Sequence, residues 1–216
     1  MPKIVPIVEG KGEEIALPNL LYKLLHGLGR YDIQVATPRN ANGGSNLKRV
    51  GGLEHFVQAA IKEPDCAALL VLLDADADCP KMLARHFADR VLSIGASFPT
   101  AIVLAKCEYE AWFLASLETL TNRVPGKEQS GLLPNSTFTG DIESKPGVKE
   151  WLSKQFPPGR SYKHTEHQLL FTQKIDIELA KANSRSFRRL SHAVEEIIAA
   201  IDSGTSAVTP AALEAR

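Results

Sequence analysis

Three aspartates, Asp74, Asp76 and Asp78, occupy alternate positions in LLVLLDADADCP (69–80), where an apolar run meets polar chain. Carboxylates this close repel one another, so a cation, a basic side chain or exposure to water must offset the repulsion. Alternate residues of an extended segment point to one side. As oxygen-only donors they suit Mg²⁺, Mn²⁺ or Ca²⁺ and not zinc. Other acids hold comparable places. Glu9 closes KIVPIVEG (3–10) with Glu13 four residues on, and Glu108 and Glu110 follow the apolar TAIVLA (100–105). Glu9 and Glu13, at i and i+4, are expected on one face of a helix start.

The elements that must position these acids follow from hydrophobic periodicity. Strands are expected at 3–8, 32–36, 67–73 and 100–105. The run AALLVLL is apolar at every position, the pattern of a strand covered on both faces of a parallel sheet. Pro6 removes one ladder hydrogen bond from the first strand and predicts an irregular start there. Helical spacing runs from Lys11 to the glycines at 27 and 29, then over 52–62, 81–95 and 108–120. This β-α alternation predicts an α/β fold with a mostly parallel four-stranded sheet flanked by helices. The core spans 1–120. An irregular, proline- and glycine-rich insertion follows at 121–147, then a helical C-terminal extension at 148–202 with helices over 147–155, 165–182 and 186–202. Residues 203–216 are expected to form a flexible tail. In such folds ligands gather at the carboxyl ends of the strands, and Glu9, Asp74 and Glu108/Glu110 stand at three of them.

Several chemistries are excluded by spacing. An EF-hand loop requires glycine at its sixth position and glutamate at its twelfth, where this chain has Cys79 and Arg85. GKGEE lacks the spacing of a phosphate-binding P-loop. An aspartyl-nucleophile phosphohydrolase places its aspartate pair after the first strand, where this chain has Glu9.

A glutamate after strand one with D-x-D after strand three resembles the Toprim domain of topoisomerases, primases and related nucleases. The matching residues are Glu9 and Gly10 in VEGKGEE and Asp74 and Asp76 in LLDADAD, over roughly residues 1–118. The resemblance implies acid–base chemistry or metal binding at Glu9 and Mg²⁺ coordination by the aspartates. Nucleases of the OLD (overcoming lysogenization defect) family add a glutamate where Glu13 stands, an acid after the fourth strand and a downstream lysine. The resemblance thus implies metal ligation by Glu9, Glu13, Asp74, Asp76 and Glu110, with Lys163 (Lys145 being the other candidate) serving the site. The motifs E-Y-E-A-W (108–112), Ser161-Tyr162-Lys163 and Ser184-Arg185-Ser186-Phe187 resemble a bacterial family of stand-alone Toprim-like proteins. That likeness implies an ABC-type ATPase partner and a setting of phage defence.

The expected function is metal-dependent cleavage of DNA or RNA with two Mg²⁺ or Mn²⁺ ions, which can sit roughly 3.5–4 Å apart and stabilise both oxygens of an in-line displacement. Lys163 would offset charge in the transition state. Asp78 or Cys79 is assigned to capping the helix that Pro80 begins. The rival is a non-catalytic binding or regulatory module for an ATPase partner. Lys48 and Arg49, beside the glycine-rich loop 42–46, and Arg185 and Arg188 are candidate nucleic-acid contacts. Net charge is zero, yet residues 142–192 hold ten Lys/Arg against five Asp/Glu, a local basic surface that overall charge conceals. The scattered cysteines, the lack of a secretory signal and the lack of an apolar run of about 20 residues predict a cytoplasmic protein that does not cross a membrane. A homo-oligomer is compatible with this reading.

Overall fold

The computed structural model describes residues 1–95, 98–121 and 131–210. Its sheet is built from β1 (Lys3–Val8), β2 (Gln34–Val35), β3 (Arg39–Asn40), β4 (Cys66–Asp74), β5 (Thr100–Ala105) and β6 (Val208–Thr209). The order is β2-β1-β4-β5-β6, with β3 also on β1, and every ladder is parallel. The class is the expected one. The sheet has six strands where four were expected, because two-residue strands carry no periodic signal.

β2 and β3 are one edge interrupted at Thr37-Pro38. β2 pairs with the start of β1 (Ile4 opposite Val35) and β3 with its end (Val8 opposite Asn40). The carbonyls of Ile4 and Val8 accept from Ala36 and Ala41 N–H. Pro6, of the same parity, therefore faces the interruption, where its missing N–H breaks no ladder bond. The register irregularity of β1 against β4 falls between Lys3 and Ile4.

Both sheet faces are buried, which is why the interiors of β1, β4 and β5 are apolar. Val5, Ile7, Leu69, Val71, Ile102 and Leu104 pack under α3 (Gly52–Ala60) and α4 (Pro80–Ser93). Ile4, Val8, Leu70, Leu72 and Val103 pack with α1 (Lys11–Gly27) and with the C-terminal helices. A five-residue helix, α2 (Gly44–Lys48), joins β3 to α3.

After β5 come two short helices, α5 (Ala111–Ala115) and α6 (Leu117–Thr121), divided at Ser116 where one helix was expected. Of the predicted insertion, residues 122–130 lie outside the described part. Leu132 and Ile142 from the remainder are buried in the main core. The helices α7 (Val148–Lys154), α8 (His164–Lys174), α9 (Ile177–Asn183) and α10 (Arg185–Ser203) follow. The expected single helix over 165–182 breaks at Ile175-Asp176, and the Asp176 carboxylate accepts from Leu179 N–H to cap α9. α10 presents Phe187, Leu190, Val194 and Ile197 to the core at helical spacing. Gly204, at φ +65°, ends it. The chain then returns to the sheet as β6 beside β5, so the expected tail is structured through Pro210; residues 211–216 lie outside the described part. Among the described residues no helix is long and apolar enough to cross a membrane.

Candidate active site

β1, β4 and β5 are consecutive in the sheet, so the acids at their carboxyl ends meet. Glu9 leaves β1 just before Gly10, the N-cap of α1. Its Oε2 accepts from Asp74 N–H at 3.3 Å, and its backbone carbonyl accepts from Gly43 N–H at 2.8 Å. A Cβ on Gly44 would stand 2.8 Å from Glu9 Oε2, so the glycine-rich loop wraps the Glu9 carboxylate. That contact accounts for the loop's glycine at this position without any phosphate. Glu13, in the first turn of α1, accepts from Gln168 Nε2 at 2.8 Å. Glu14 turns aside to Lys11 and Asn40, whose hydrogen bonds hold its carboxyl below the usual range.

Asp74 is the last residue of β4. Its Oδ1 accepts from Tyr109 N–H at 2.8 Å, and its Oδ2 lies 3.6 Å from Lys149 Nζ. Glu108 and Glu110 follow β5. Glu110 is fully buried (0 % exposed), accepts from the Tyr162 hydroxyl at 3.0 Å, and lies 3.1 Å from Lys149 Nζ. Glu108 is 3.0 Å from the same ammonium and accepts from Val148 N–H. A single lysine, in the first turn of α7, thus faces three carboxylates.

The electrostatics follow from burial. Burial pushes the Asp74 carboxyl well above its ordinary value; Lys149 opposes this, and Glu110, Glu13 and Glu9 add to it. Burial likewise lifts Glu110 to about 7 against the pull of Lys149. Lys149 itself loses hydration, but Glu110, Asp74 and Glu108 outweigh that loss and hold its ammonium above the usual lysine range. Burial and the neighbouring Glu110 both raise the Tyr162 hydroxyl, so it remains a donor.

The expected row of aspartates on one face is not formed. Asp76 lies at φ +49°, in the left-handed region that aspartate tolerates better than most residues. The chain therefore turns after Asp74, and strand alternation stops applying. Asp76, 67 % exposed, lies 3.7 Å from Lys48 Nζ, and Asp78 pairs with the same lysine at 3.0 Å. These carboxylates raise the Lys48 ammonium. Asp78 is not the helix cap: Cys79 is the N-cap of α4, without a side-chain cap bond. The opening repulsion is thus offset by Lys149 at Asp74, and by Lys48 and water at Asp76 and Asp78.

Of the expected basic residues, Lys48 reaches the strand-end loop as described. Lys163 does not reach the carboxylates; it is exposed and pairs with Glu166 at 3.0 Å. Lys145 turns to the carbonyl of its neighbour Pro146. Arg49 is an α2 C-cap whose carbonyl accepts from Arg90. Arg185 is 80 % exposed and touches Glu143 through Nε. Arg188 donates to the carbonyls of Lys181 and Ala182 at the end of α9. Arg185 remains available to a surface ligand; Arg188 is committed to its own chain.

Residues missed by sequence reasoning are Lys149, Tyr162, Gln168 and the Tyr109 amide. Pro146-Gly147 marks a helix start just before Lys149, and only that signal was available. Gln168 is fully buried, and its Oε1 has no hydrogen-bond partner among the described residues. A Cβ on Gly12 would stand 1.7 Å from that atom. Gly12→Ala is therefore expected to displace Gln168 from Glu13 and to cost about 1–3 kcal/mol of stability, measurable by thermal unfolding. A variant as stable as the wild type would show that the glycine is dispensable.

The donor set suits a hard divalent cation. All its donors are oxygen, Glu9 and Glu13 both act electrostatically on the Asp74 carboxyl, and Glu110 Oε2 is buried with Lys149 Nζ 3.1 Å away. Lys149 occupies the Glu108/Glu110 side, so a cation would be held by Glu9, Glu13 and Asp74. Among the described residues no group of three or more His, Cys, Asp or Glu is already set at metal-binding spacing.

The profile of a family described as a domain of unknown function (DUF4276) matches residues 8–195, well over half of the sequence. The chain belongs to this family. The DUF4276 span contains every carboxylate of the site and Lys149, and ends before β6. No curated protein and no solved structure matches the chain.

Glu110 gives a pH prediction within the site. Its carboxyl is raised in the fold from an ordinary 4.5 to about 7. Its contribution to stability is therefore full below about 4.5 and is lost as pH rises through about 7, by up to about 3 kcal/mol. Glu110→Gln lacks this titration. The melting temperature of the variant relative to wild type should accordingly rise between pH 4.5 and 7.5. A constant difference across that window would place the Glu110 carboxyl at its ordinary value.

Proposed function

We propose that this chain is a metal-dependent phosphodiesterase acting on nucleic acid, with an ABC-type ATPase as partner and phage defence as its setting. The observation that carries the reading is the convergence of Glu9, Glu13, Asp74, Glu108 and Glu110 on one sheet edge with Lys149 between them. Mg²⁺ or Mn²⁺, when bound, would neutralise phosphate charge and lower the pKa of attacking water. The residues have separable tasks. Glu9 and Glu13 are held in place by the Asp74 amide and by Gln168. The Tyr109 amide orients Asp74, leaving its second oxygen toward Lys149. Lys149 takes the task expected of Lys163: its ammonium lies among the acids and offsets charge on a phosphate drawn toward them. The Toprim-like motif order supports the nuclease class and the ATPase partner.

A second reading has its own observation. Lys149 already balances three carboxylates, as a structural ion pair would, and a non-catalytic module regulating an ATPase needs no more. Mn²⁺ calorimetry on the wild type and on Asp74→Asn/Asp76→Asn, with folding checked, separates the two. Binding of one or two ions by the wild type alone supports the phosphodiesterase; absence of binding with and without a phosphodiester strand supports the module.

A further inference from the structure

The Lys149 ammonium stands where a cation on one half of the carboxylate cluster would stand. Its Nζ lies 3.0 Å from Glu108 Oε2, 3.1 Å from Glu110 Oε2 and 3.6 Å from Asp74 Oδ2, one oxygen from each of three carboxylates. An Mg²⁺ or Ca²⁺ ion on the same three oxygens would sit about 2.0–2.6 Å from each, in the space the ammonium fills. Two cations that close repel strongly, so lysine and ion exclude each other there. The fold holds the lysine in this place. Lys149 is in the first turn of α7, and the N–H of the preceding Val148 donates to the other oxygen of Glu108 at 3.0 Å. Glu110 is 0 % exposed, and its Oε2 has no partner among the described residues except this ammonium. The lysine side chain is itself 39 % exposed, so its place is open to ions from solvent once the ammonium is gone.

The other half of the cluster is different. Among the described residues neither Glu9 nor Glu13 forms an ion pair. Glu9 Oε2 accepts from Asp74 N–H and Glu13 Oε1 from Gln168 Nε2, which leaves the second oxygen of each to an ion. The cluster thus has one half without a cation and one half that carries its own. We propose that Lys149 takes the place of a second divalent cation, so that the wild-type site holds one ion, on Glu9, Glu13 and Asp74, and a further ion enters only when Lys149 is removed. A phosphate at this sheet edge would then meet one divalent ion and one ammonium, where a two-ion site presents two divalent ions. The inference rests on the proposed metal reading only for the ion beside Glu9 and Glu13. The exclusion of the other ion follows from the ammonium already in its place.

Mn²⁺ uptake, counted by equilibrium dialysis on proteins checked for folding by circular dichroism, tests it. Lys149→Met should take up one ion more than the wild type. Lys149→Arg keeps the charge and should take up no more than the wild type. Adding Glu110→Gln to Lys149→Met should weaken the additional ion by roughly tenfold or more, the scale on which metal sites respond to loss of a supporting carboxylate. Glu110→Gln alone should leave the wild-type uptake unchanged. Mn²⁺ should also raise the melting temperature of Lys149→Met more than that of the wild type, because the added ion binds only the folded protein. If the methionine variant does not fold, Lys149→Gln, neutral but still a hydrogen-bond donor, carries the same comparison. The readout is a difference between proteins, which separates it from the metal reading of the wild type. No ion in the wild type and one in Lys149→Met would count against the phosphodiesterase and for this assignment. Equal uptake by the wild type and Lys149→Met, or two ions in the wild type, overturns it.

Discussion

Replacing Lys149 by methionine is expected to destabilise the protein by about 2–3 kcal/mol, a fall in melting temperature of roughly 5–10 °C. The lysine stands 3.0, 3.1 and 3.6 Å from Glu108, Glu110 and Asp74, and Glu110 has no access to solvent. Its loss strands three neighbouring carboxylates, and burial already opposes ionisation of two of them, Asp74 and Glu110. Removing one partner of a buried pair ordinarily costs about 3–5 kcal/mol. The smaller figure reflects a lysine side chain that is 39 % exposed and so partly screened by water. The deficit should depend on pH with a definite sign. Without the ammonium the Asp74 and Glu110 carboxyls rise further above their unfolded values, so their stabilising contribution is present in acid and lost toward neutrality. The variant should therefore approach wild type near pH 5 and fall furthest behind near pH 8. Adding Glu110→Gln should recover part of the loss, because the two changes act on one cluster and are not additive. A deficit independent of pH and untouched by Glu110→Gln would make Lys149 a surface lysine of no consequence to the acids.

That lysine also shows where sequence reading reaches its limit. The strands carrying Glu9, Asp74 and Glu108/Glu110 were readable because a strand buried on both faces must be apolar throughout, and the order of elements then fixes a parallel sheet. The meeting of the acids followed once β1 and β4 were neighbours. Lys149 lies some forty residues beyond Glu108, on a seven-residue helix after an irregular stretch. Its approach to Glu108 depends on how α7 packs, of which local periodicity holds no trace. Motif likeness points to Lys163, whose own pairing with Glu166 is a local i,i+3 contact. The misreading of Asp76 has another cause. Alternation applies only while the chain stays extended, and a single left-handed residue ends it. β3 and β6 are too short to show a period, and what places them is the unpaired edge of β1 and of β5.

The substitution with the largest expected effect on activity is Asp74→Asn, and it should separate chemistry from folding. If the chain is the proposed phosphodiesterase, its Mn²⁺-dependent cleavage of DNA or RNA should fall by roughly a thousandfold or more, as for loss of a group acting on charge in the transition state. Stability should hold or increase. Asparagine retains an Oδ1 to accept the Tyr109 amide, and Lys149 keeps Glu108 and Glu110. The variant also removes a carboxyl that burial forces well above its ordinary value. That group weakens the fold as pH rises through its raised pKa, so the variant should gain on the wild type toward neutral and alkaline pH. A functional acid held against its own solvation has this signature, with stability rising as activity disappears. A structural acid has the opposite one. If Asp74→Asn melts several degrees below wild type at pH 8, Asp74 serves the fold by holding the β5–α5 turn through Tyr109. If it melts at or above wild type and Mn²⁺ binding is lost, the strain at this sheet edge is maintained for a cation.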